Sequence, residues 1–326
     1  MRMEEGRDQI LINGRAAKLI ALDDRGETQQ GIRLAKDIAG NQSIVAVIGH
    51  VTTDCTLSAI PVYNAARLIH ISPVATGDDL EGIKSPYTFR TVLTESQQAM
   101  SLADYMCRAI DGKKVALIYE DTPLGYRMRK SFLSRSEEIG LSVRSVLVEG
   151  NPFPDPTEMM NEVAKLRAEA IFLAGGARLG GMVVRRWPKK IERPLIFGIY
   201  RLVSEEFMEV AGKHSKGILA AHPCVWRSDF EKGRGIKDRY EREFRYIMDW
   251  LAIQTYDAVD LLLWAIRKSG VDPDSMRGAL QGLDSEDSSM PGLAGPIYFN
   301  PNGSLARDVS VAICTGSGWK LREGGK

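Results

Sequence analysis

The chain has 326 residues, room for two cores of ordinary domain size, and 44% of them are hydrophobic, enough to fill both. Its 43 basic and 42 acidic residues leave a formal charge of +1, which excludes a strong electrostatic pull toward nucleic acid or an anionic membrane. Even the basic clusters are interleaved with acids, as in the run from Asp229 to Phe244, which reads as the wet face of a helix.

Strand and helix signals alternate from the start. Lys18–Leu22 reads as a strand ending at Asp23 and Asp24, residues 29–39 carry apolar residues at helical spacing, and Ile44–Ile48 is an apolar run typical of a buried strand. A helix from Thr53 to Ala66 and a strand from Leu68 to Ile71 follow. The rhythm continues with a helix at 96–110, a strand at 115–119, a helix at 125–140 and a strand at 143–148. A helix at 156–167, a strand at 170–174, a helix at 179–186 and a strand at 195–198 close the series. Strands separated by such helices predict parallel sheets covered on both faces, and two series in succession predict an α/β chain of two doubly wound lobes. After the run at 217–221 the pattern changes to a helix pair over about 235–270 and short strands at 297–299 and 309–314, with turn chemistry at Asn300–Ser304 between them.

Motifs of catalysis are missing: there is no GxSxG, P-loop or HExxH. Gly175 to Gly181 is glycine-rich after a strand, but its spacing misses a dinucleotide fingerprint. The cysteines Cys55, Cys107, Cys224 and Cys314 form no CxxC pair and have no histidine at ligand spacing, so neither zinc nor a disulfide framework is expected. His50, His70, His214 and His222 are scattered, and Asp23–Asp24 suits a turn better than acid–base work. No catalytic group, metal or cofactor is therefore expected. No apolar run nears the roughly 20 residues that span a bilayer, and Met1–Gln9 is charged, without the apolar core of an export signal.

The positive signal lies at the carboxyl ends of strands, where open parallel sheets bind ligands. After Ile48 comes Gly49-His50-Val51-Thr52-Thr53, opening directly into a helix whose unpaired N–H groups and dipole favour an anion. After Ile71 comes Ser72-Pro73-Val74-Ala75-Thr76-Gly77, a second hydroxyl-bearing turn. Thr53, Ser72 and Thr76 could each merely cap a helix; two such turns ending adjacent strands suggest instead that they converge on one carboxylate.

These segments resemble the type I periplasmic binding proteins of branched-chain amino acid ABC transporters, the leucine/isoleucine/valine-binding protein group. The resemblance runs through Ile12-Asn-Gly-Arg15, Val45–His50, Ile60–Tyr63, Ile71–Thr76, Phe89–Thr91, Gly125–Met128, Ala211–Gly217, Thr255–Val259 and Gly295–Gly303. It implies a solute-binding protein, not an enzyme, holding a small carboxylate-bearing ligand (an amino acid, or an organic or aromatic acid) between two lobes and serving a membrane permease outside the cytoplasm. It further implies lobe 1 at 1–91 plus 223–299 and lobe 2 at 92–221 plus 306–326, with hinge crossings near Thr91–Val92, Ala221–Pro223 and between Phe299 and Asp308. The implied ligand residues are Thr53, Val74, Ala75, Thr76, Leu124, Gly176 and Tyr200, with Tyr126, Arg127, Arg178 and Arg201 as possible additions. A ligand sensor on the same fold is the alternative, and a doubly wound enzyme a more remote one.

Three departures bear on these expectations. Tyr200 stands where the amino acid binders carry an acid for the ligand ammonium, which favours an acid without an amine. The cysteine pair of close relatives falls at Gly26 and Thr52, so that disulfide is not expected. The resemblance also begins partway through the family's first helix, so the first strand of lobe 1 is expected to be missing, through either a misassigned start codon or a damaged gene, and the native precursor is expected to carry an export signal.

Overall fold

The computed structural model of the protein describes residues 10–149, 157–222, 231–246 and 248–322. The expected hinge residue Pro223, the helix start at Pro156, Cys224 and the Met1–Gln9 segment lie outside these. The chain divides into two compact units, residues 1–93 with 227–307 and residues 94–226 with 308–326.

The first unit opens with an antiparallel hairpin of β1 (Ile10–Ile12) and β2 (Arg15–Ala17). Then come α1 (Thr28–Ala39), β3 (Ala46–Ile48), α2 (Thr53–Ala65), β4 (Ile69–Ser72) and β5 (Thr88–Arg90). The three strands β3, β4 and β5 lie side by side and parallel, Ala46 opposite Ile69 and Ile71 opposite Phe89. α1 and α2 pack through Ala35, Ala59, Tyr63 and Leu68.

The predicted strand at Lys18–Leu22 does not form. Among the described residues no strand pairs with this segment, and the outer side of β3, the sheet edge, is likewise left unpaired. Leu19, Ile20 and Leu22 accordingly stay 69%, 52% and 53% exposed, although their apolar run reads locally as a buried strand.

The second unit runs α3 (Glu95–Ala109), β6 (Lys114–Glu120), α4 (Pro123–Ile139), β7 (Ser142–Val148) and α5 (Thr157–Lys165). It continues through β8 (Ala170–Ala174), α6 (Ala177–Arg185), β9 (Leu195–Gly198), α7 (Glu205–Ala211) and β10 (Leu219–His222). α4 shows how local chemistry sets the bounds. The Thr122 hydroxyl accepts from the Gly125 N–H at 3.1 Å, Pro123 takes the first helical position, and Gly140 ends the helix at φ 75°.

After the second unit's first pass come α8 (Glu231–Phe244), α9 (Trp250–Ser269), α10 (Pro273–Gln281) and the antiparallel pair β11 (Met290–Gly292) and β12 (Gly295–Ile297), all of the first unit. β13 (Ser310–Cys314) and β14 (Trp319–Leu321) close the chain. They complete a seven-stranded sheet of order β14-β13-β10-β9-β8-β6-β7, parallel from β10 to β7 and antiparallel at β13 and β14.

Both faces of that sheet are buried, as alternation along its strands requires. Val115, Leu117, Phe172 and Phe197 face one core with Leu102 and Met106 of α3 and Phe132 of α4. Ala116, Ile118, Ile171 and Ile196 face the other with Met160, Val183 and Phe207 of α5 to α7. The α/β class and the parallel sheets are those the alternating sequence pattern predicts.

Candidate functional site

The site builds from the two turns that leave β3 and β4. Thr52 N-caps α2, its hydroxyl accepting from the Cys55 N–H at 3.3 Å, so Thr53 is the first helical residue. Thr53 Oγ1 accepts the N–H of Gly77, the residue after Thr76, at 3.2 Å. The two turns therefore meet within one unit. A threonine hydroxyl that accepts one bond still has its own proton to donate, and among the described residues the Thr53 hydroxyl donates to nothing.

Gly77 is required there, because a Cβ at that position would run into the Thr53 side chain. Behind the turn, Arg90 is 3% exposed and its Nη1 donates to the Gly77 carbonyl at 3.4 Å, which braces the turn from within the unit. Ser72 Oγ and Thr91 Oγ1 are buried with no hydrogen-bond partner among the described residues. Both sit at or just beyond the strand ends, and orphaned hydroxyls of this kind concentrate at functional sites.

Thr76 is 6% exposed, and Val74 is buried beside it at 8%. Ala75 packs against Ile60 and Leu80, so only its backbone could serve a ligand. In the second unit Leu124 is buried in the α3–α4 core. Gly176 N-caps α6, and Tyr200 begins a short 3-10 turn with the Arg201 guanidinium 5.9 Å from its ring centre. Of the suggested additions, Arg127 donates to Glu95 at 2.7 Å, while Arg178 and Arg201 are simply exposed.

Sequence reasoning missed a buried polar cluster below the first turn. Asp23 and Asp24 do make turns, accepting from the Arg25 and Gly26 N–H groups, both at 2.8 Å. In addition, Asp24 Oδ2 meets His50 Nδ1 at 2.6 Å, and His50 Nε2 meets the Tyr63 hydroxyl at 2.9 Å. Burial pushes the Asp24 carboxyl upward, but the Gly26 N–H and His50 outweigh it and hold the group below its usual range. Burial also raises the Cys55 thiol, so this cysteine is a poor nucleophile. No motif marks the Asp24–His50 pair, because its members lie 26 residues apart.

His70 is fully buried, its Nε2–H donating to the Gly49 carbonyl at 2.7 Å. Burial pulls it down to about 4, and it does the same to His222. Asp257 is shifted the other way, to about 6, again by burial. Between about pH 4 and 6 the unfolded chain thus gains two histidine protons that the folded chain refuses, while the folded chain retains one on Asp257 that the unfolded chain releases. These three groups leave a net loss of stability on acidification of about 1.4 kcal/mol per pH unit. Denaturant unfolding at stepped pH checks this, and His70→Asn should flatten the slope by about one proton; an unchanged slope contradicts it.

Among the described residues no helix is long and apolar enough to cross a membrane, and no group of three or more His, Cys, Asp or Glu could hold a metal ion. Residues 1–318 match the model of the family described as periplasmic binding protein. The chain belongs to that family. The periplasmic binding proteins are solute-binding proteins rather than enzymes, and the family's place is outside the cytoplasm. Among similar proteins is the Leu/Ile/Val-binding protein homolog 3 of Brucella melitensis, 25% identical over 266 residues that cover 81% of this chain and 71% of that protein. A branched-chain amino acid ABC transporter protein from Rhodospirillum rubrum has the same fold at TM-score 0.84 and 22% identity, over 95% of this chain and 89% of that one. A Rhodopseudomonas palustris solute-binding protein of an ABC transporter, solved with 3,4-dihydroxybenzoic acid, aligns at TM-score 0.74 and 21% identity, over 93% of this chain and 83% of that one.

Proposed function

We propose that this periplasmic binding protein is the extracytoplasmic component of an ABC transporter that takes up a small carboxylate-bearing solute and delivers it to a membrane permease. One observation carries the proposal: Thr53 and Gly77 join two strand-end turns at 3.2 Å, with the Thr53 hydroxyl proton left to donate. The ligand carboxylate sits on the Thr53 and Thr76 hydroxyls and on N–H groups at the start of α2. Val74 and Ala75 serve the same carboxylate through their backbone, since the Ala75 side chain is turned into the core against Ile60 and Leu80. Three or four hydrogen bonds to a charged group, at about 1.5–3 kcal/mol each, are enough for micromolar binding, about −8 kcal/mol. The names of the relatives support amino acids as the ligand class, and the dihydroxybenzoate complex keeps aromatic acids among the candidates.

A thermal-shift screen of amino acids, aliphatic acids and aromatic acids tests this. An acid should stabilise the protein by about 2.7 kcal/mol at a hundredfold excess over its Kd, and its primary amide should not. No shift with any acid, or an equal shift with the amide, overturns carboxylate recognition.

A further inference from the structure

Three connecting segments of the second unit meet at the amino ends of β9 and β10. Residues 187–194 lead into β9 and residues 212–218 into β10, and these strands are parallel, so both segments reach one edge of the sheet. Arg193 ties them together. Its Nη1 donates to the His214 carbonyl at 2.7 Å and its Nη2 to the Lys216 carbonyl at 2.9 Å. The Gly217 N–H donates to the Cys314 carbonyl at 2.9 Å, which brings the turn between β13 and β14 to the same edge.

Lysines stand at the corners of this edge. Lys189 and Lys190 are the central residues of a turn closed by the Ile191 N–H on the Pro188 carbonyl at 3.0 Å. Lys213 is a corner of the turn closed by Ser215 on Gly212 at 3.1 Å. Lys216 is a corner of the next, closed by Ile218 on Ser215 at 3.2 Å, with Gly217 beside it at φ 85°. All four lysines are exposed, and among the described residues none forms an ion pair. Turn geometry does not ask for lysine, since glycine, proline, asparagine, aspartate and serine serve such corners better. Across residues 187–194, 212–218 and 314–320 the only acid is Glu192. The formal charge of +1 is a sum over the whole chain and conceals this concentration.

Two features favour a lipid surface over an acidic polypeptide as the partner. The corner cations are lysines, point charges suited to a diffuse array of phosphates, whereas Arg193, whose planar fork could grip a particular carboxylate, is spent on backbone carbonyls. Ile191 is 42% exposed directly beside Lys190, and the Trp187 indole N–H holds its carbonyl at 3.0 Å. Lysines around an outward apolar side chain are the composition of interfacial binding.

We propose that this edge of the second unit docks on the anionic headgroups of a phospholipid membrane, with the lysines on the phosphates and Ile191 among the headgroups. The docking surface is independent of the solute site.

The test is co-sedimentation of the full chain with vesicles of equal parts phosphatidylglycerol and phosphatidylcholine, and with vesicles of phosphatidylcholine alone. The wild type should bind the anionic vesicles at low salt and ignore the neutral ones. It should be released at about 0.5 M salt, where the Debye length falls to about 4 Å. Each lysine near such a surface contributes about fivefold to binding, so Lys189→Gln with Lys190→Gln should weaken it about 10- to 30-fold. Changing Lys213 and Lys216 to Gln as well should abolish it with the urea midpoint unchanged. Ile191→Ser should weaken it about three- to tenfold. The proposal is overturned if the wild type does not sediment with anionic vesicles, or if the four-lysine variant or Ile191→Ser binds them as the wild type does. It is also overturned if poly-L-glutamate at equal negative charge strips the protein from the vesicles, the mark of an acidic polypeptide partner.

Discussion

Asp257→Ala should cost about 3–5 kcal/mol of folding stability, a large share of the 5–15 kcal/mol typical of a domain. Asp257 lies on α9, 1% exposed, and accepts the Leu293 and Ala294 N–H groups at 2.7 and 2.9 Å. Those donors form the turn between β11 and β12, so one carboxylate pins the whole hairpin to the helix. Removing it strands two buried donors, each costing about 1–3 kcal/mol, and opens a small void. Asp257→Asn retains one acceptor oxygen and relieves the buried charge, so it should cost about 1–2 kcal/mol. Urea unfolding of the three proteins checks the order, and equal stability of wild type and Asp257→Ala would contradict it.

Gly77→Ala carries the second large effect. Gly77 has φ −64°, which any residue adopts, so the obstacle is the Thr53 side chain and not backbone strain. The added methyl forces the turns apart and breaks the bond that orients the Thr53 hydroxyl. Overpacking of this kind costs about 1–3 kcal/mol of stability. Thr53→Ala in the same chain removes the colliding atoms and should restore most of that stability without restoring the donor. Neighbouring positions that share one contact are not additive, and a double-mutant cycle measures the coupling.

Much of the second unit was legible in sequence. The runs at 115–119, 143–148, 170–174 and 195–198 are strands because both faces of their sheet are covered, which makes an uninterrupted apolar run the signature. The same signature misled at Lys18–Leu22, since hydrophobicity along a segment carries no information on whether a neighbour offers a ladder. Short elements such as β5, with three residues, fell below any periodicity.

The site was legible in part. Thr53 and Thr76 follow strands that are adjacent in sequence and parallel in space, so local patterning was enough to place them at one sheet edge. Asp24 and His50 are 26 residues apart and meet only in the folded unit, a matter that periodicity does not encode. Leu124 occupies the position the family resemblance implies, at the start of α4, but its side chain lies within the core of its own unit.

The central claim is that the joined turns at Thr53 and Gly77 hold the anionic end of the solute. Calorimetric titration of the best-binding acid into wild type, Thr53→Ala, Gly77→Ala and the doubly changed chain tests it most directly. Each single change should weaken binding by about 10- to 100-fold, and the double change should be little worse than either, since both remove the same oriented donor. Wild-type affinity in Thr53→Ala would contradict the account.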